Sequence, residues 1–142
     1  SLWGESTRVP LILAGPGLVK GNCSRPVGLI DLYPTLNELC GLAKPPQTLE
    51  GHSLVPLLQK PDAAWSHPAI TTFHQNDHTI RTGRWRYIRY ANGDEELYDR
   101  AADPHEWHNL AVKPEHKGTI AELREHLPKV NAVDAPVRAS GR

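Results

Sequence analysis

The residue pattern predicts two unlike parts: the end of an α/β layer over residues 1–60, then an α+β unit over 61–130 with a four-stranded antiparallel sheet and a covering helix. Three observations predict this. The nearly continuous apolar run Val9-Pro10-Leu11-Ile12-Leu13-Ala14, closed by Gly15-Pro16-Gly17, suits a strand buried on both faces, as in a parallel sheet. From Ala69 the apolar period changes to two, the period of strands with one face inward. Pro114 to Leu127 then places Ile120, Leu123 and Leu127 on one helical stripe.

Taken in order, the apolar run must hold Pro10 at its start or on an edge, because proline cannot donate to a ladder. Asp31-Leu32-Tyr33-Pro34-Thr35-Leu36-Asn37-Glu38-Leu39-Cys40-Gly41 is a predicted helix of two to three turns. Asp31 caps it, Pro34 is tolerated early, Gly41 closes it in the left-handed conformation, and Leu32, Leu36 and Leu39 share its apolar face. Ser53-Leu54-Val55-Pro56-Leu57-Leu58 repeats the capping logic in a shorter helical turn, and the composition shift at Gln59-Lys60-Pro61-Asp62 marks the boundary. Four strands follow, at Ala69 to Phe73, His78 to Thr82, Trp85 to Tyr90 and Glu96 to Asp99. Asn92-Gly93 supplies the positive φ angles of a two-residue hairpin, and Gly83 does similar work before Trp85. The last helix stops at Pro128, and residues 131–142, rich in Pro, Ala and Arg, are an expected mobile tail.

Composition narrows the function. With 142 residues the chain has the size of one ordinary domain, and its 16 basic and 16 acidic side chains cancel. That balance removes the charge excess needed to neutralise a phosphate backbone or an anionic membrane surface, so no nucleic-acid or membrane partner is expected. The longest apolar run is far below the roughly 20 residues that cross a bilayer. Ser1-Leu2-Trp3-Gly4-Glu5 lacks an initiator Met and a leader pattern, so the sequence is expected to be an excerpt. Cys23 and Cys40 fit no metal-ligand spacing and are expected as buried thiols.

Candidate functional residues concentrate between the first two strands. Phe73-His74-Gln75-Asn76-Asp77-His78-Thr79-Ile80-Arg81 gathers two imidazoles, a carboxylate and a guanidinium around one loop, groups that bind anionic ligands. His78, with His74 and Arg81 beside it, is the substrate-binding candidate, weighed against a polar loop without chemistry. No nucleophile is identifiable: Ser6, Ser24, Ser53 and Ser66 lie in no Gly-x-Ser-x-Gly elbow. Asp103-Pro104-His105-Glu106-Trp107-His108-Asn109-Leu110 has metal-ligand residue types, but its order fits a capped turn anchored by Trp107 and Leu110. Arg81, Arg84, Arg86 and Arg89 interleave with Trp85, Tyr87 and Tyr90, which fits Arg stems lying over rings on amphipathic strands better than a single-strand nucleic-acid platform.

Several segments together resemble a known family. Glu5-Ser6-Thr7-Arg8-Val9-Pro10-Leu11-Ile12, Asp31-Leu32-Tyr33-Pro34-Thr35-Leu36 and Gly51-His52-Ser53-Leu54-Val55-Pro56-Leu57-Leu58 are similar to the C-terminal half of sulfatases with the alkaline-phosphatase-like fold. Arg84-Trp85-Arg86-Tyr87-Ile88-Arg89-Tyr90, Glu96-Leu97-Tyr98-Asp99 and Asp103-Pro104 to Asn109-Leu110 resemble the C-terminal subdomain of those enzymes. The order of the segments over residues 2 to 112 resembles iduronate-2-sulfatase-like enzymes of bacteria in particular. The resemblance implies a formylglycine nucleophile made from the Cys of a Cys-x-Pro-Ser-Arg motif, and a calcium ion held by Asp and Asn side chains. Cys23, followed by Ser24-Arg25-Pro26, and Cys40, followed by Gly41-Leu42-Ala43, do not fit that motif, and the family's metal carboxylates have no counterpart here. A catalytic Lys of the family precedes the segment matching Leu2-Trp3-Gly4-Glu5, off this chain. The implied function is therefore that of a sulfatase C-terminal part, with a sulfate-ester substrate, the catalytic segment and calcium ligands elsewhere, and an extracytoplasmic location. Two other readings stay open: part of a related phosphodiesterase or phosphonate hydrolase, and a non-catalytic module that binds an anionic glycan.

Overall fold

A computed structural model describes residues 1–133, so the expected tail at 131–142 falls outside the described residues from residue 134 on. Helix α1 spans Gly4–Thr7, a 3₁₀ turn at Leu29–Asp31 leads into α2 at Leu32–Leu39, and α3 spans Val55–Gln59. The sheet follows as β1 Ala69–Thr72, β2 His78–Arg81, β3 Trp85–Arg89 and β4 Glu95–Asp99. After a 3₁₀ turn at Pro114–His116, α4 runs over Lys117–Arg124. The strands lie in the order β1-β2-β3-β4, every pair antiparallel, as expected of consecutive short hairpins.

Strand alternation sends neighbouring residues to opposite faces, and both faces are covered. Ile80, Tyr87 and Leu97 pack against Ile120 and Leu123 of α4, with Trp85, Leu110 and Leu127 at the margin. On the other face Ile88 and Tyr98 close over Leu2, so the first residues of the chain lie across the back of the sheet. The hairpin chemistry differs from expectation. Tyr90 and Asp94 pair around a three-residue loop, Ala91-Asn92-Gly93, in which Gly93 alone takes a positive φ, of 96°. The Asn92 side chain, accepting the Asp94 N–H at 2.9 Å, stabilises this type I turn with a bulge instead of the two-residue form. Gly83 has no positive φ, because the Thr82 hydroxyl accepts the Trp85 N–H at 3.0 Å and closes that turn from its side chain.

The α/β part departs further. Residues 9–14 form no strand, and Ile12 is 87% exposed. A parallel strand is stable only between neighbours, and among the described residues none lies beside it. The leucine face of α2 is likewise uncovered: Leu36 and Leu39 are exposed, while Thr35 is its buried residue. Cys23 and Cys40, expected to be buried, are both exposed free thiols, for they flank these uncovered segments. Gly41 does close α2 in the left-handed region, at φ 60°.

Candidate functional site

The β1–β2 hairpin carries the three candidate residues. Phe73 N–H donates to Asp77 O and Asp77 N–H donates to His74 O, with Asn76 left-handed at φ 67°, so this loop is also three residues long but is closed by a turn over residues 74–77. Asp77 Oδ1 also accepts the Ala91 N–H at 2.8 Å, fastening this hairpin to its neighbour. His74 lies at the exposed tip, its ring edge-on to Phe73 with centroids 4.2 Å apart. His78 differs from expectation: only 4% exposed, it holds Nδ1 at 2.9 Å from the Thr72 hydroxyl, and its buried Nε2 meets no partner among the described residues. Register explains this, since His78 opens β2 between Thr72 and Arg89 on the face that α4 covers. Arg81, three residues on, falls on the opposite face beside Arg86. Burial, with repulsion from Arg100 and Arg86, pushes its guanidinium down to about 10. The hairpin therefore presents His74 outward and divides His78 and Arg81 between the two faces.

An ionic cluster that sequence reading missed lies behind the sheet. Glu106 Oε1 accepts from Arg86 Nε at 2.6 Å and from Arg100 Nη1 at 2.9 Å. Its other oxygen accepts the Gly4 N–H at 2.8 Å, while Arg86 Nη1 donates to Leu2 O at 3.1 Å and to the Thr79 hydroxyl at 3.2 Å. Burial pulls Arg86 below its ordinary value, against the pull of Glu106. Trp3 Nε1 adds a bond to Glu96 at 2.7 Å, so three consecutive residues at the start of the chain are fixed to the sheet. The missed signal was Arg86 itself: it follows Trp85 in a strand whose alternate positions face inward, and a buried guanidinium requires a carboxylate.

A second cluster joins α2 to α3. Asp31 does not cap forward, since its carboxylate turns back to accept N–H groups from Gly28 and His52, each at 2.8 Å. Thr35, fully buried, donates to Asp31 O at 2.5 Å and accepts the Leu54 N–H at 2.8 Å. Gly51 is required here because a Cβ would come within 2.2 Å of Ile30 O. His52 stacks on His67 at 3.6 Å, and Trp65 meets His67 edge-on at 5.0 Å. Desolvation and the neighbouring His52 hold His67 below its usual value. The Asp31-to-Thr35 and Gly51-to-Leu54 motifs thus act as a backbone staple.

The model of the family described as N-sulphoglucosamine sulphohydrolase, C-terminal, matches residues 1–133. This chain belongs to that family. Among curated relatives, a sulfatase of Formosa agariphila is 43% identical over 93% of this chain and 26% of its own length. Arylsulfatase K of Mus musculus is 36% identical over 93% of this chain and 27% of its own length. The chain therefore spans about a quarter of these sulfatases. Among solved structures, a protein in complex with its substrate D-glucosamine-2-N,6-O-disulfate superposes with a TM-score of 0.57 at 28% identity, over 67% of this chain and 22% of that one. A 2-O GAG sulfatase is 33% identical with a TM-score of 0.51, and the phosphonate monoester hydrolase of Agrobacterium radiobacter is 27% identical with a TM-score of 0.56, each over 67% of this chain and 22% and 23% of theirs. The fold is thus the C-terminal portion of the alkaline-phosphatase-like sulfatase architecture, including its four-stranded sheet.

Among the described residues no three His, Cys, Asp or Glu side chains gather into a cation-sized group. The best-placed carboxylates, Asp31, Glu95, Asp99 and Glu106, already accept from N–H groups or guanidinium groups. Engaged in this way, these described carboxylates do not fit a calcium site. No helix among the described residues is long and apolar enough to cross a membrane.

Proposed function

We propose that this chain is the C-terminal part of a sulfuric ester hydrolase acting on a sulfated carbohydrate or a similar sulfate ester, with the reacting groups on residues outside it. The observation that carries this reading is the family match over residues 1–133. The sulfatase relatives at 43% and 36% identity agree with it. The likeness to phosphonate monoester hydrolase leaves the fold shared between two ester classes, whereas the closer sequence identities support sulfate. The narrower placement beside iduronate-2-sulfatase-like bacterial enzymes is supported by the likeness to a 2-O GAG sulfatase. The formylglycine nucleophile, calcium with its ligands, and an extracytoplasmic location belong to the same proposal as features of the rest of the parent protein.

On this reading the β1–β2 hairpin faces the group that carries the sulfate. His74 at the exposed tip reaches the substrate, and the buried His78 fixes the hairpin's end through Thr72. Arg81 contributes positive charge from the other face. A charge-assisted hydrogen bond from His74 is worth about 1.5–3 kcal/mol, so His74→Ala in the full-length parent lowers kcat/KM roughly 10- to 100-fold without lowering stability. Parallel assays with a sulfated sugar and a phosphonate monoester decide the class. Efficient phosphonate cleavage with no sulfate release would overturn the sulfatase reading, and unchanged kcat/KM in the variant would return His74 to the scaffold.

A further inference from the structure

The loop from Arg100 to Leu110 is rigid for its length. Asp99 O accepts N–H groups from Asp103 at 2.7 Å and Ala102 at 3.0 Å, and the Asp103 carboxylate accepts the His108 N–H at 2.8 Å. Asn109 closes the far end, accepting from Leu97 N–H at 3.0 Å and donating to Glu95 O at 3.1 Å. At the centre Glu106 is left-handed, φ 60°, a conformation rare outside glycine that persists only when surroundings impose it. Arg86, Arg100 and the Gly4 N–H impose it here by holding the carboxylate inside.

The residues on either side are consequently turned outward. His105 and Trp107 stack with centroids 5.0 Å apart and planes 21° from parallel, and Trp107 is 75% exposed, where sequence reading made it a packing anchor. Leu110 does pack on the core, so the anchor roles fall to Glu106 and Leu110. A large indole displayed on a fixed loop is a recognition surface prepared in advance.

We infer that His105 and Trp107 form a platform for the apolar face of a pyranose ring, a glycan subsite beyond the ester that is cleaved. The inference rests on the reading that the parent acts on sulfated carbohydrate. The C–H groups on one face of a pyranose carry partial positive charge and pack against the electron-rich face of an aromatic ring. His105 and His108 add imidazole donors for anionic substituents, while the loop's two carboxylates, Asp103 and Glu106, are occupied by N–H and guanidinium partners. Anionic sugar therefore meets no uncommitted carboxylate from this loop.

The test compares Trp107→Ala and Trp107→Phe with wild type in the full-length parent, on a sulfated disaccharide and on a tetrasaccharide ending in the same sulfated residue. Stacking predicts that Trp107→Ala raises KM for the tetrasaccharide about three- to tenfold, leaves the disaccharide constants unchanged, and is largely rescued by Trp107→Phe. Equal effects on both substrates, or none on either, would overturn the platform. A melting-temperature loss typical of a core tryptophan would overturn it too, by assigning the indole to packing against the rest of the parent. A wild-type parent that cleaves neither sugar would remove the sulfatase reading and this inference with it.

Discussion

At the scale of single residues, the motifs that mark the family turn out to be backbone satisfiers. Thr35 bridges Asp31 O and the Leu54 N–H inside the protein, so its hydroxyl, and not its size, is what the position needs. Thr35→Val leaves that buried N–H without a partner and costs about 1–3 kcal/mol, whereas Thr35→Ser keeps both bonds. Denaturant unfolding of the two variants checks this, and equal losses would contradict the hydrogen-bond account. Asp99 gives a pH-dependent counterpart. Bonds from Arg84 hold its carboxyl below the ordinary 3.8, outweighing the opposing desolvation, with Ala101 N–H assisting. A depressed carboxyl contributes stability that is complete above 3.8 and is lost as pH falls through the lower folded value. The stability difference between wild type and Arg84→Gln should therefore shrink on acidification below 3.8. Because Arg84 is 61% exposed, that difference is small and fades with salt, and a salt-independent difference persisting at the acid limit would refute the pairing.

At the scale of elements, legibility followed locality. The four strands appear within a residue or two of their expected positions, because each pairs with its sequence neighbour and needs only a short turn. Helix α4 was legible for the same reason: Ile120 and Leu123 meet a sheet finished about twenty residues earlier. The run at residues 9–14 was misread because a buried parallel strand is defined by neighbours distant in sequence. The burial of His78 was not legible either, since its loop-to-strand position was right but the face it takes is set by register with Thr72 and Arg89. Hydrogen exchange on the 142-residue chain should accordingly show the β3 amides, bonded on both sides, exchanging more slowly than those of residues 9–14. Equal or reversed protection would erase the division of the chain near residue 60.

At the scale of the molecule, surface area separates a self-contained domain from part of a larger one. A folded monomer of 15.8 kDa exposes roughly 7,300 Å², and this chain exposes 10300 Å². Large exposed apolar side chains are concentrated before residue 43, at Val9, Ile12, Leu29, Tyr33, Leu36 and Leu42, whereas strands β2 to β4 bury apolar side chains on both faces. Exposed apolar side chains in that number fit an interface, and the relatives, about four times as long, have room for the chain that would cover it. The same missing portion is where the proposal places the nucleophile and the calcium ligands. Both properties should therefore change together. The isolated 142-residue chain should bind a hydrophobic dye such as ANS, self-associate at high concentration and release no sulfate from an aryl sulfate. The full-length parent should be dye-silent and active. A monomeric, dye-silent 142-residue chain would show that the exposed leucines need no cover, and metal-dependent turnover by a rigorously pure sample of it would put the reacting groups back on these residues.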